Sequence, residues 1–390
     1  MAHPADRKLR IYSDRTQLAP GVNHVTMLTA FWGREPQLSS WPGYADDLIA
    51  HGHQFLELSE LDDADLAVYP RDLMRVLNAP DGADRIAAFG DAAHAEGKPA
   101  VYFFHTDRVE PLGLDGDFVF RTSLNRRVRA ADEYAIPGFH EDLLAEWHGG
   151  RESIRRRDGR ARVSFCGGVV RPSTPRGVAS LTRRLAGQTR QRIAAARGQP
   201  DEADLYARAS AIDALKGQRH VETDIVIRSG SAGGAWDGPP GTLDVELWNR
   251  VRREYVRSML DADYVLCVRG AGNWSYRFTE ALSLGRIPVV VDTDCVLPYD
   301  FLLDWRDHIV WVDRDDIPRI GEVVADLHES LTDGEFVDRQ RACRCVWQEY
   351  LSPLGFFRNF HRHFEVGLLA TADVEQVRSR HPAAVAEPRP

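Results

Sequence analysis

Apolar positions along this chain fall in short blocks. VTMLTAF, FLELSEL, LAVY, AVYFF and FVFRT occupy the first 150 residues, with helix-like stretches such as Ala83 to Glu96 between them. That alternation predicts an α/β layer with a mostly parallel sheet. The stretch from Asp142 to Arg160, containing WHGGRESIRRRDGR, has the glycine and charge density of a linker. A second alternation starts at Arg162. VSFCG reads as a strand, Arg176 to Arg197 as a long helix and Glu202 to Lys216 as another. TDIVIR, YVLCV, IPVVV and HIVWV read as further strands, with helices from Asp244 to Leu260 and from Ser275 to Leu284. More helices follow from Asp316, Glu335 and Pro353. The chain divides into residues 1–150 and 160–350, two Rossmann-like halves facing a cleft, then a closing helix at 351–375 and a disordered tail at 380–390.

Composition narrows the class. At 390 residues, 43% hydrophobic and 27% charged, the chain is an ordinary globular protein, long enough for two domains. No apolar run approaches the ~18 residues of a membrane span. MAHPADRKLR lacks the apolar core of a signal peptide, so cytoplasmic residence is the expectation. Five scattered cysteines match no zinc spacing and read as buried thiols. The net charge of −9 argues against a nucleic-acid binder. Yet thirteen arginines face two acidic residues between Arg151 and Arg197, which reads either as an anion site or as a solvated helix face.

The segment RGAGNWSYRFTEALSLGRIPVVVDTD holds the most specific chemistry. A strand ends at Val268 and a loop with Gly270, Gly272 and Asn273 follows, where bare backbone N–H groups can approach a ligand. Ser275 is placed to cap a helix that Gly285 closes, and the helix tip favours an anion, most naturally phosphate. Periodicity places Trp274, Phe278, Ala281 and Leu282 on one packed arc. Arg277 and Glu280 share a neighbouring arc. There they can hold a diphosphate and a ribose, or form a simple i,i+3 ion pair.

Residues 264–317 resemble the signature region of the exostosin family of glycosyltransferases. The order is a strand, a Gly-containing loop, Ser275-Tyr276-Arg277, Glu280-Ala281, Gly285-Arg286-Ile287-Pro288-Val289, Leu297-Pro298-Tyr299 and Asp304-Trp305. FCGGVVR and WQEYLSPLGFF resemble further parts of the family, whereas the N-terminal third matches only loosely. The resemblance implies a GT-B fold, with the nucleotide-sugar held by the C-terminal domain and the acceptor on the N-terminal side. It also implies inversion at the anomeric carbon with no bound metal or other cofactor. Arg171 and Arg277 would face the diphosphate, Gly270, Asn273 and Ser275 would cradle it, and Glu280 would hold the ribose. The arginines would stabilise charge on the departing nucleotide diphosphate, expected to be UDP.

Two features leave alternatives open. Asp292-Thr293-Asp294 has the form of a metal-binding Asp-x-Asp. Its position after the phosphate-loop helix favours capping of the turn into CVLPYD, or contact with sugar hydroxyls. Inversion also needs a base. His105 and Asp107 in AVYFFHTDR follow a strand and share a face, with Asp132, Glu133 and Glu141 as rivals. The expected function is transfer of a sugar to a glycan or small hydroxylated acceptor. The alternatives are a metal-dependent transferase using Asp292 and Asp294, and a relative that binds a nucleotide-sugar or glycan without turnover.

Overall fold

A computed structural model describes residues 8–35, 43–114, 116–171, 202–228, 235 and 244–365. Two parallel sheets organise them. The first contains β1 (Leu9–Tyr12), β2 (Leu56–Leu58), β3 (Leu66–Val68), β4 (Ala100–Phe104), β5 (Phe118–Arg121) and β6 (Glu133–Ala135), ordered β2-β1-β3-β4-β5-β6. The second contains β7 (Arg162–Gly167), β8 (Glu222–Ile227), β9 (Tyr264–Cys267), β10 (Ile287–Val291) and β11 (Val310–Val312), ordered β11-β10-β9-β7-β8. In each sheet the second strand lies on one side of the first and the third strand on the other. The winding therefore reverses between β1 and β3, and again between β7 and β9. The crevices beyond the carboxyl ends of strands at such reversals are where open α/β sheets bind ligands. Two Rossmann-like halves are the fold that the alternation of blocks predicts.

The helices are α1 (Thr29–Trp32), α2 (Asp46–His51), α3 (Leu73–Leu77), α4 (Gly82–Ala95), α5 (Leu143–His148), α6 (Glu202–Gly217), α7 (Val245–Leu260), α8 (Tyr276–Ser283), α9 (Ile320–Ser330), α10 (Asp333–Val346) and α11 (Pro353–Arg358). Strand β4 shows why its sequence is apolar throughout. Ala100, Tyr102 and Phe104 pack with Ile86, Phe89 and Ala93 of α4, while Val101 and Phe103 pack with Phe356, Phe357 and Phe360 on the other face. A strand covered on both sides leaves no place for a polar residue. Helix α8 lies in the core of the second lobe through Phe278, Ala281 and Leu282. Gly285 ends it at φ +66°, with Gln340 O only 3.2 Å from where a Cβ would stand. Among the described residues no helix is long and apolar enough to cross a membrane.

Several expectations change. VTMLTAF forms a 3-10 turn at Thr26–Leu28 and then α1, not a strand; short apolar runs do not distinguish a buried helix from a strand. The expected linker contains α5, capped by Asp142, which accepts from the N–H groups of Leu144 and Ala145. Helix α11 does not close the second lobe alone, since its phenylalanines complete a core of the first. The expected helix from Arg176 to Arg197 and the tail at 380–390 lie outside the described residues.

Candidate active site

At the β7/β9 reversal Arg277 and Arg208 converge over the Phe165 ring, and Arg269 follows the end of β9. Arg277, in the first turn of α8, is buried; its Nη2 donates to Cys166 O at 2.8 Å and its guanidinium lies 4.3 Å from the centre of the Phe165 ring. It fits because Gly167 has no side chain: a Cβ there would stand 2.5 Å from Arg277 Nη2. Arg208 of α6 bridges the two strand ends, donating to Gly168 O at 3.0 Å and to Val268 O at 2.8 Å. Burial and then the charge of Arg277 push the Arg208 pKa down to about 10. Arg269 is buried, its Nη2 donating to Ala271 O at 3.0 Å. The Nε atoms of all three, and Nη1 of Arg269, are buried without a hydrogen-bond partner. Among the described residues none of the three is ion-paired with a carboxylate. Like charges gathered with unused donors suit a diphosphate, whose oxygens accept in pairs.

The loop and helix tip complete this corner. Gly270 is half-buried, and a Cβ on it would meet Arg208 Nη2 at 3.5 Å. Ser275 occupies the N-cap of α8 without a side-chain capping bond. Asn273, expected to cradle phosphate, faces the other way. Its N–H donates to Ser123 Oγ and its Nδ2 to Asn125 Oδ1 and Thr293 O, while its Oδ1 accepts from Thr293 Oγ1. Every polar atom of that side chain is engaged, so Asn273 latches the loop to the first lobe. Glu280, expected at a ribose, is also inward. One turn below the tip it is buried, accepting from Arg252 Nη1 at 2.7 Å and from the Tyr255 hydroxyl. Burial pushes its pKa up, but Arg252, His140 and Tyr255 hold it lower overall. The pair Arg277–Glu280 does not form. Instead Glu280 fixes Tyr255, whose ring lies 5.8 Å from the Arg277 guanidinium. Arg171 does not join the cluster: it makes a two-pronged, exposed ion pair with Asp213 at 2.6 and 2.8 Å.

The first lobe has its own cleft of about 500 Å³ near the β1/β3 reversal, lined by Glu35, Tyr44, Asp72, His105, Phe139 and Tyr276. His105 is held twice by Asp72 Oδ2, through its N–H at 2.8 Å and through Nδ1 at 2.7 Å. Asp72 Oδ1 meanwhile caps α3 through Met74 N–H. A carboxylate on Nδ1 fixes the proton there and presents Nε2 as the acceptor. Glu35 Oε1 accepts from the Tyr44 hydroxyl at 2.8 Å, and burial pushes its pKa up to about 7. Tyr276 is the first residue of α8, so this cleft abuts the arginine corner. Asp107 lies outside it, accepting from Trp274 Nε1 at 3.0 Å. That bond draws Trp274 off its expected arc and onto Tyr276, with ring centroids 4.5 Å apart.

Residues 138–327 match the model of the exostosin GT47 domain. A stretch of 73 residues is 34% identical to the probable glucuronosyltransferase GUT1 of Oryza sativa subsp. japonica, covering 19% of this chain and 18% of that protein. A 73-residue stretch is 36% identical to the probable beta-1,4-xylosyltransferase IRX10L of Arabidopsis thaliana, with the same coverage of both. The chain thus aligns with less than a fifth of these relatives' length. The crystal structure of TarM aligns over 76% of this chain and 54% of its own at a TM-score of 0.35 and 11% identity, a distant likeness from which no chemistry is carried over.

The GT47 match takes in the whole second sheet with Arg208, Arg269 and Arg277, and leaves the first-lobe cleft outside it except for Phe139 and Tyr276. Arg208 escaped the sequence reading, although α6 carried a signal. Asp204 and Arg208 fall on the stripe that continues through Ala211 and Leu215, placing charge where the helix buries itself. Glu35 and Asp72 carried no comparable signal. Of the rival bases, Glu133 is buried against Arg121 and Glu141 against Arg252. Asp292 accepts from Asp294 N–H at 2.9 Å, the expected turn cap, and both carboxylates reach arginines of the first lobe, Arg126 and Arg127, at 3.3 Å.

Proposed function

We propose that this chain is a glycosyltransferase that moves a sugar from a nucleotide-sugar donor, UDP-linked, to a hydroxylated acceptor, with inversion and without a metal ion. The observation that carries this reading is the convergence of Arg208 and Arg277, neither ion-paired with a carboxylate among the described residues, at the β7/β9 reversal within the stretch that matches the GT47 model. The donor's diphosphate sits against these guanidiniums, Gly270 and the tip of α8. The acceptor hydroxyl oxygen forms a bond to the anomeric carbon as the bond from that carbon to the diphosphate oxygen breaks. The electron pair leaves with the nucleoside diphosphate, whose growing charge the arginines stabilise. The hydroxyl proton passes to Nε2 of His105, which Asp72 orients and whose positive charge it then balances. Asp107 serves to seat Trp274. Engagement of Asp292 and Asp294 by Arg126 and Arg127 supports the metal-free scheme over one using that pair.

Calorimetric titration with UDP tests the donor site. Arg277→Ala and Arg208→Ala are each expected to weaken binding about tenfold or more, roughly the loss of one charge-assisted contact. EDTA should leave turnover unchanged. Binding that is indifferent to both substitutions, or activity abolished by EDTA and restored by Mn²⁺, defeats the scheme.

A further inference from the structure

The cleft in the first lobe combines three features. Its walls carry aromatic surface from Tyr44, Phe139 and Tyr276; its polar groups include the carboxyls of Glu35 and Asp72, the imidazoles of His24 and His105 and the guanidiniums of Arg71 and Arg75; and it opens beside the tip of α8. Glu35 lines the cleft wall. Oε1 takes the Tyr44 hydroxyl, which also meets Thr26 Oγ1 at 3.0 Å, and the Thr26 side chain is a further hydrogen-bond partner of the carboxyl. A second acceptor group, Nε2 of His105, faces the same space. Oxygen acceptors beside flat apolar surfaces suit a molecule with hydroxyls along its edge and C–H groups on its face, which is a pyranose or furanose ring.

We propose that Glu35 is the residue that reads the acceptor in this cleft, hydrogen-bonding a hydroxyl next to the one His105 deprotonates. This rests on the transferase reading and adds to it the side chain that selects among saccharide acceptors. Division of labour follows from the partners. His105 has a carboxylate behind it to balance a gained proton, whereas burial opposes the ionisation of Glu35 more than the Tyr44 bond and the charge of His105 favour it, and Asp72 adds to that opposition. Near neutrality Glu35 therefore keeps a proton much of the time and can donate as well as accept. The groups facing it are Tyr44, His24, Arg71, Asp72, Arg75, His105 and, from α8, Tyr276.

The test uses the full chain on a printed array of neutral and uronic-acid oligosaccharides, with UDP titrated separately. Wild-type protein should bind a subset of the saccharides. Glu35→Ala should weaken that binding about tenfold, Tyr44→Phe by a smaller factor, and Glu35→Gln should stay within about threefold, because the amide keeps a donor and an acceptor. UDP binding should be the same in all four proteins. Saccharide binding untouched by Glu35→Ala, while UDP still binds, overturns this assignment and spares the donor site. Saccharide binding that depends on Glu35 in a protein blind to UDP does the reverse. Should Glu35→Gln bind saccharide normally yet lose turnover, Glu35 is the base and the proposed role is wrong.

Discussion

At the scale of single residues, the site depends on an atom that is missing. Gly167 ends β7 at φ +154°, and the space its side chain would fill holds Arg277 Nη2. Gly167→Ala should therefore drive the guanidinium out of its seat between Phe165 and the Cys166 carbonyl. Because the flexible arginine can yield, the fold should lose only about 1–2 kcal/mol, including the unfavourable φ. Affinity for UDP should fall about tenfold or more, since a displaced fork no longer meets phosphate oxygens in pairs. Gly168→Ala is the control: the nearest atom to a Cβ there is Arg228 O at 3.9 Å, and nothing need move. Thermal melts and calorimetry on the two variants should separate cleanly. Equal UDP affinity for both would mean that Arg277 does not touch the nucleotide.

The loop and α8 act as one element with two faces, and Asn273 is the hinge between those faces. Asn273→Ala leaves Asn125 Oδ1, Thr293 O and Thr293 Oγ1 in a buried pocket without their partner. Uncompensated buried polar groups cost about 1–3 kcal/mol each before water or rearrangement relieves them, so a fall of roughly 2–4 kcal/mol in urea unfolding is expected. A change under 0.5 kcal/mol would show that the latch is replaceable. This element also marks how far the sequence was legible. Its strand, loop, helix and closing glycine could be read because each has a local signature: an apolar block, glycines, a cap, a positive φ. So could the presence of Arg277 at an anion corner. What could not be read is direction. Asn273 and Glu280 belong to the same motif as Arg277, yet their partners, Ser123, Asn125 and Arg252, lie far away in the chain. Glu35 pairs with Tyr44 across nine positions, and Asp72 with His105 across thirty-three. Long-range pairing leaves no periodic trace. Short strands hid for a related reason: LRIY has one fully buried side chain, Ile11, too little to form a block.

Across the whole molecule, the two lobes are tied by the returning C-terminal segment as well as by the loop latch and the ion pair of Arg129 with Asp300 at 2.6 Å. The tie includes a titratable group. His363 is fully buried, its ring packed against Phe120, Tyr134, Tyr299 and Phe301, and the Tyr134 hydroxyl donates to its carbonyl. Nδ1 donates to Phe360 O at 3.0 Å, while Nε2 is buried without a partner and has nothing to share a second proton with. Burial pushes its pKa down to about 3. Between that value and the ordinary ~6.5, the unfolded chain binds a proton that the folded one refuses. Stability is therefore complete above about pH 6.5 and declines as pH falls, at about 1.4 kcal/mol per pH unit from this one group. His24 and His328 are shifted down by burial too and add to the same trend. A difference measurement isolates His363. His363→Phe keeps an aromatic ring but cannot be protonated, so at pH 7.5 it should match the wild type or fall slightly below it through the lost bond to Phe360 O. At pH 5 it should gain about 2 kcal/mol relative to that baseline. Parallel stability curves from pH 7.5 to 5 would show that the ring is protonated in place, and that the segment joining the lobes opens to water more easily than its packing implies.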